Sequence, residues 1–403
     1  MERIIAPLLG LLVIASLVAI IVRRLHLPYT VGLVLTGISL SVIGVESDLS
    51  LSHDLIYVVI LPPLLFEAAL GISWPDFRRD ALPIFVLATV GVIASALVVA
   101  IGLMQILNWP MQAAAIFGVL IAATDPVSVI AMFKDNEVKG RIRLLVESES
   151  LMNDGVAAVL FGVVLAWSNG VGITASGIVE SLVLTVGGGI GVGLITATMV
   201  LAVAGRTTDH LVETVLTGVA AYGSFLAAER LHVSGILATI TAGLVLGQAQ
   251  LLGLAKLRMF KLNPLSPSGQ EFLDGFWEFA AFLANSLIFL LIGLAVAETT
   301  FDGAAMNTVT IAALLVLLGR AVTVYGLCLP FVGTRWRIPL PDQHILWWGG
   351  LRGALALSLT LALPETLPFR QEITLTTFGV VALSVVVQGM TMPALMKAVG
   401  LKR

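Results

Sequence analysis

The chain has 403 residues, 58% of them hydrophobic and only 12% charged, with a mean hydropathy of +1.03 and a formal net charge of -3. Soluble globular domains carry roughly 25% charged residues, so the composition describes one membrane domain with no soluble enzyme domain attached. A pI near 6.0 gives no nucleic-acid signal, and the single Cys328 excludes an intrachain disulfide.

Apolar runs long enough to cross a ~30 Å hydrocarbon core recur along the chain. Backbone groups in lipid must be satisfied internally, so each run is expected to be a helix. The first, near 4–22, has a weakly basic start and no small-residue cleavage signature before Arg23 and Arg24. It reads as a retained span rather than a signal peptide. Further spans are expected near 27–44, 53–72, 81–107, 111–133, 143–167, 176–204, 210–228, 233–248, 271–298, 305–331, 343–363 and 371–397, thirteen in all. Turn punctuation separates them, as at Trp74-Pro75-Asp76, Asn108-Trp109-Pro110, Ser168-Asn169-Gly170 and Pro339-Leu340-Pro341. The longest polar interval, about 248–270, is too short to fold alone.

Orientation follows from the basic residues. Seventeen of the 22 Lys and Arg residues fall in one alternate set of connections. The opposite set holds only Arg3, Arg230 and Arg370, while Arg320 and Arg352 lie within spans. The positive-inside rule places the C-terminus in the cytoplasm and, with an odd span count, the N-terminus outside.

Charged groups inside spans are costly and should face protein or water. Four places carry them. In span five, Ala123-Thr124-Asp125-Pro126 should break the helix, because Pro126 cannot donate and its ring disturbs the preceding turn. An acid beside such a break is the pattern of a transporter ion site; the plainer reading is a proline kink with Asp125 capping the second half-helix. In span six, Glu149 and Asn153, and likewise Ser150 and Asp154, are four apart and form two adjacent polar stripes. Asp154 lies deeper than the interfacial Glu147 and is followed by an apolar run, which points to an ion site. In span eleven, Arg320 needs an acidic partner. Asp125, Glu149 and Asp154 compete for it, and Glu149 is the choice that leaves Asp154 free to change occupant. In span twelve, three glycines surround Arg352 in Gly349-Gly350-Leu351-Arg352-Gly353-Ala354 and weaken the helix there. Spans five and twelve are seven apart, so they run in opposite directions, as an inverted repeat with crossing breaks requires.

Other signals are blander. Gly187–Gly193 lacks a P-loop lysine and reads as a close-packing helix face. Glu67, after Pro62-Pro63, could line a cytoplasmic vestibule or cap a short helix, and Gln388-Gly389-Met390-Thr391 reads as helix–helix glue. His26, His53, His210, His232 and His344 lie at span ends without metal-ligand spacing. No catalytic triad or ATP-binding loop is present, so no cofactor is expected and another ion gradient would have to drive any transport.

Together, the Thr124-Asp125-Pro126 break, Glu149-Ser150-Leu151-Met152-Asn153-Asp154-Gly155, the Gly349–Ala354 motif and Val387-Gln388-Gly389-Met390-Thr391 resemble the monovalent cation/proton antiporters of the NhaP and sodium/proton exchanger type. The resemblance implies an all-α polytopic membrane protein of thirteen transmembrane helices with the sodium/proton antiporter fold. Inverted repeats would bring discontinuous spans five and twelve to cross at mid-membrane. It implies a core of spans 4–6 and 11–13 (about 81–167 and 305–397), a dimerisation part (about 4–72 and 176–298) and a homodimer in the cell membrane. By position, Asp154 is the ion- and proton-binding carboxylate, with Asp125 at the crossing and the Thr124 carbonyl and Ser150 hydroxyl as ligands for Na+. Glu149 and Arg320 match a structural ion pair beside Asn153, and Glu67 matches an acid near the inner funnel. Arg352 is a second candidate for the vestibule. Asn-Asp, where electrogenic relatives have two aspartates, resembles the electroneutral branch. The chain's end soon after its last span implies the absence of the long regulatory tail of animal exchangers.

The expected function is electroneutral exchange of Na+, and also Li+, for H+ by competition at Asp154. Potassium/proton exchange is the alternative within transport, because both cations are hard and take oxygen ligands. A passive cation channel or membrane sensor is the alternative of a different class; no nucleophile–base constellation supports an enzyme.

Overall fold

The computed structural model describes residues 2–25, 27–44, 51–135, 138–170, 175–207, 209–248, 267–299 and 302–401. His26 and most of the expected polar interval, including Lys256, Arg258 and Lys261, lie outside the described residues. The apolar runs form helices, in chain order α1 (Glu2–Leu25), α2 (Tyr29–Val42), α3 (Leu61–Gly71), α4 (Trp74–Ile106), α5 (Met111–Leu120), α6 (Val127–Asp135), α7 (Arg141–Ser168) and α8 (Ala175–Ala204). They continue with α9 (His210–Arg230), α10 (Gly235–Gly247), α11 (Pro267–Glu298), α12 (Gly303–Cys328), α13 (Leu340–Trp348), α14 (Ala354–Leu361), α15 (Arg370–Leu383) and α16 (Gly389–Ala398). Seven helices of the described residues are long and apolar enough to cross a membrane by length and composition. Expected span five is α5 plus α6, and expected span twelve is α13 plus α14, each broken at the predicted motif.

Two local features were not readable from hydropathy. Span three begins with a π-helical turn, Leu55–Ile60, and span thirteen contains another, Ser384–Gln388, between α15 and α16. A π turn adds one residue to a helical turn without changing the apolar character of the run, so the pattern carries no mark of it.

Helices group into two compact units. The first comprises Met1–Ile56, Leu82–Asn153 and Asn285–Arg403. Inside it, α2 and α11 meet backbone to backbone at Gly37 and Gly293. A Cβ on Gly37 would overlap the Leu290 carbonyl, and one on Gly293 the Val34 carbonyl. Small residues permit such approach where apolar lipid supplies no drive for helices to associate. Tyr29 and Ser286 add a 2.7 Å hydroxyl contact between the same two helices.

The second unit comprises Tyr57–Ala81 and Asp154–Ala284. Its core is apolar, with Phe66 tilted against Trp277 at 4.6 Å between ring centroids. The Trp277 indole N–H donates to Thr217 Oγ1 at 3.0 Å, which satisfies its one polar atom. Gly188, Gly189 and Gly193 of α8 admit Val233, Ser234 and the Ala238 carbonyl, so the glycine run is a packing face. Ser234 caps α10 by accepting from the Leu237 N–H at 3.2 Å.

Candidate functional site

Span five loses its helix after Leu120 and regains it at Val127. The break leaves backbone groups without intrahelical partners inside the apolar interior, and each must find another. The Asp125 N–H donates to the Leu351 carbonyl at 2.8 Å, forming one antiparallel bridge between the two interrupted segments. The breaks therefore touch. Asp125 Oδ1 accepts from the Val127 N–H at 2.9 Å and caps α6. The same carboxyl lies where a Cβ on Gly353 would stand, at the start of α14. One carboxylate thus serves the N-terminal ends of two half-helices, where the helix dipole favours negative charge.

The opposite ends meet arginines. Arg352, only 1% exposed, donates through Nη1 to the Ala122 and Ala123 carbonyls at 2.7 and 3.0 Å, just beyond α5. Arg320 donates through Nε and Nη2 to the Leu346 carbonyl at 3.3 and 3.1 Å in the last turn of α13. Cations at C-terminal carbonyls are the complementary half of the dipole rule. Four half-helix ends are neutralised by three side chains.

Gly353 must be glycine for this arrangement. Gly353→Ala is expected to push its methyl into the Asp125 carboxyl and to destabilise the purified protein by about 1–3 kcal/mol, the usual cost of overpacking. Thermal melting checks this, and an unchanged midpoint would contradict the contact.

The α7 side chains complete the site. Arg320 and Glu149 form a bidentate pair, with Nη1–Oε1 and Nη2–Oε2 both 2.7 Å, and both residues are buried. Asn153, fully buried, accepts from the Thr124 N–H at 3.2 Å through Oδ1. Its Nδ2 donates to Thr124 Oγ1 at 2.6 Å and to Glu149 Oε1 at 3.1 Å. A carboxylate at position 153 could not make those two donations and would face Glu149 with like charge. The Ser150 hydroxyl donates to the Thr124 carbonyl. A small cavity is lined by Thr124, Pro126, Val146, Glu149, Ser150, Arg320, Leu346 and Gly349.

Thr124, Asp125, Glu149, Ser150, Asn153, Arg320 and Arg352 therefore converge within the first unit. Asp154 follows Asn153 on the continuous helix α7, one turn beyond Ser150, and is half-buried. Glu67 is half-buried on α3 of the second unit. Glu147 lies 3.7 Å from Arg143 one turn away, which fits its interfacial reading. Among the described residues no cluster of His, Cys, Asp or Glu could hold a metal ion in the manner of a transition-metal site. Sequence reasoning missed the Leu346, Ala122 and Ala123 carbonyls, whose role depends on fold and not on residue type. It also missed Ser384, which donates to Gln388 Oε1 beside the second break at 2.7 Å.

The family described as "Sodium/hydrogen exchanger, transmembrane" matches residues 12–398. The Na(+)/H(+) antiporter ApNhaP of Aphanothece halophytica is 36% identical over 380 residues, covering 93% of this chain and 70% of that protein. The Na(+)/H(+) antiporter NhaH of Halobacillus aidingensis is 33% identical over 414 residues, 98% of this chain and 97% of its own. The solved structure of the sodium proton antiporter MjNhaP1 from Methanocaldococcus jannaschii superposes with a TM-score of 0.75 at 22% identity, covering 99% of this chain and 100% of that one, which shows a common fold.

Proposed function

Because the chain belongs to the sodium/hydrogen exchanger family of membrane transporters, we propose that it exchanges sodium, and also lithium, for protons, one for one. The carrier is Asp154, with Ser150, the Thr124 carbonyl and Asp125 supplying further oxygens. Charge cancellation at the crossing supports this best. Asp125 and Glu149 are matched by Arg320 and Arg352, and each of the four is engaged with a named partner. Asp154 adds a further carboxylate on α7, one turn beyond Ser150. A single carboxylate is neutralised by a proton or by a monovalent cation, and each occupant disfavours the other. If only the neutralised site crosses between inward- and outward-facing states, exchange is obligatory and no net charge moves.

The roles of the remaining groups follow. Glu149, Arg320 and Asn153 hold the frame, and Glu67 belongs to the inner vestibule. The protein works as a homodimer in the cell membrane with its C-terminus cytoplasmic. The core is about 81–167 and 305–397, and the dimerisation part about 4–72 and 176–298.

Purified protein in sealed vesicles tests the reading. An imposed pH gradient is expected to drive uphill sodium and lithium movement at a rate unaffected by a clamped membrane voltage. Strong voltage dependence would overturn the stoichiometry. Exchange with potassium but not sodium would reassign the cation, and cation flow without proton counter-movement would make the protein a channel.

A further inference from the structure

In an unbroken helix, the N–H of residue 352 would donate to the carbonyl of residue 348, four positions back. Span twelve is interrupted between those two residues, so this hydrogen bond is missing. Three bonds stand in its place. The Arg352 N–H donates to Ser384 Oγ at 2.9 Å. The Ser384 hydroxyl donates to Gln388 Oε1 at 2.7 Å. Gln388 Nε2 donates to the Trp348 carbonyl at 2.8 Å. Chemistry fixes the direction at both ends, since an amide N–H can only donate and a carbonyl can only accept. The hydroxyl must therefore accept first and donate onward, and the Gln388 amide can face only one way.

We infer that Ser384 and Gln388 are positioning residues for exchange, a side-chain relay that replaces the missing helical hydrogen bond of span twelve. The relay keeps the polarity of the bond it replaces and ties the end of α13 to the residue that opens the second half. Both side chains are buried. They stand at the two ends of the π-helical turn Ser384–Gln388, whose wider coil sets them to reach positions 348 and 352 of the neighbouring segment. Such turns recur at functional sites. The amide it holds belongs to Arg352, whose guanidinium donates to the Ala122 and Ala123 carbonyls just beyond α5. Loosening the relay therefore shifts the cation that neutralises the other interrupted span. The inference rests on the antiport reading and extends it to span thirteen.

Sodium-dependent exchange of Ser384→Ala, Ser384→Thr, Gln388→Ala and Gln388→Glu in vesicles tests it, beside wild type across pH. Ser384→Ala and Gln388→Ala are expected to raise the apparent KM for sodium about tenfold, the scale of one buried hydrogen bond. Ser384→Thr, which keeps the hydroxyl, is expected to stay within about twofold of wild type on the same scale. Gln388→Glu carries the sharpest signature. A protonated Glu donates to the Trp348 carbonyl and an ionised one cannot, so its activity relative to wild type should rise as pH falls. The corresponding ratio for Gln388→Ala should stay flat. The relay is overturned if Ser384→Thr is as impaired as Ser384→Ala, or if the Glu and Ala variants at 388 share one pH profile. Should Gln388→Ala fail to fold, the two Ser384 variants decide by themselves. Wild type that moves no sodium against protons would instead refute the antiport reading.

Discussion

Asp154→Asn is expected to reduce sodium-driven proton movement to the leak of protein-free vesicles while leaving the protein folded. Asparagine matches aspartate in size and keeps one acceptor oxygen while the other becomes a donor NH2, so packing along α7 should change little. It can neither carry a proton at physiological pH nor offer a charge to a cation. The neighbouring charges cannot take over, because Asp125 caps α6 and lies at the start of α14, and Glu149 is held by both guanidinium nitrogens of Arg320. Thermal melting and gel filtration establish folding, and fluorescence from a pH-sensitive dye in vesicles reads exchange. Retention of full exchange by this variant would end the assignment of Asp154 as carrier.

Arg320→Ala should produce the largest loss of stability, about 3–5 kcal/mol, by leaving Glu149 as an uncompensated buried charge. The loss spreads, because Asn153 donates to the same Glu149 oxygen that receives Arg320 Nη1 and also grips Thr124. The Leu346 carbonyl loses its donor in the same stroke. Removing the pair together, as Glu149→Leu with Arg320→Met, should cost less than Arg320→Ala alone, since apolar replacement leaves no orphaned charge. A double variant no more stable than Arg320→Ala, compared by thermal unfolding in the same detergent, would contradict this account.

How much of this was legible depended on whether a residue's requirement was local. Pro126 has no N–H to donate and stands beside the acid Asp125 in mid-span, and the glycines around Arg352 weaken a helix, so both interruptions could be placed from the sequence. A buried arginine needs an acid, and Glu149 was the candidate that spared Asp154; the two side chains meet. The carbonyl partners of Arg352 and Arg320 were not legible, because every residue has a carbonyl and only the fold selects which are left open. Gln388 read as general helix glue, and Ser384 was not singled out. Their meaning arises from a missing hydrogen bond in a different span, and the π turn that sets their spacing leaves no trace in hydropathy. Asn153 was legible as polar and buried, but its triple engagement required the position of Thr124.

The contacts at the crossing also impose an order in time. The Ala122 carbonyl receives its donor from a residue 230 positions later, and Glu149 its partner 171 positions later. With synthesis at about 5–20 residues per second, roughly 12–46 s separate the emergence of α5 from that of Arg352. Glu149 waits about 9–34 s for Arg320 on the same reckoning. Throughout that interval the nascent chain holds a broken span with open carbonyls and an unmatched acid. Half of the contacts at the crossing therefore wait for their partners until the ribosome delivers the other half.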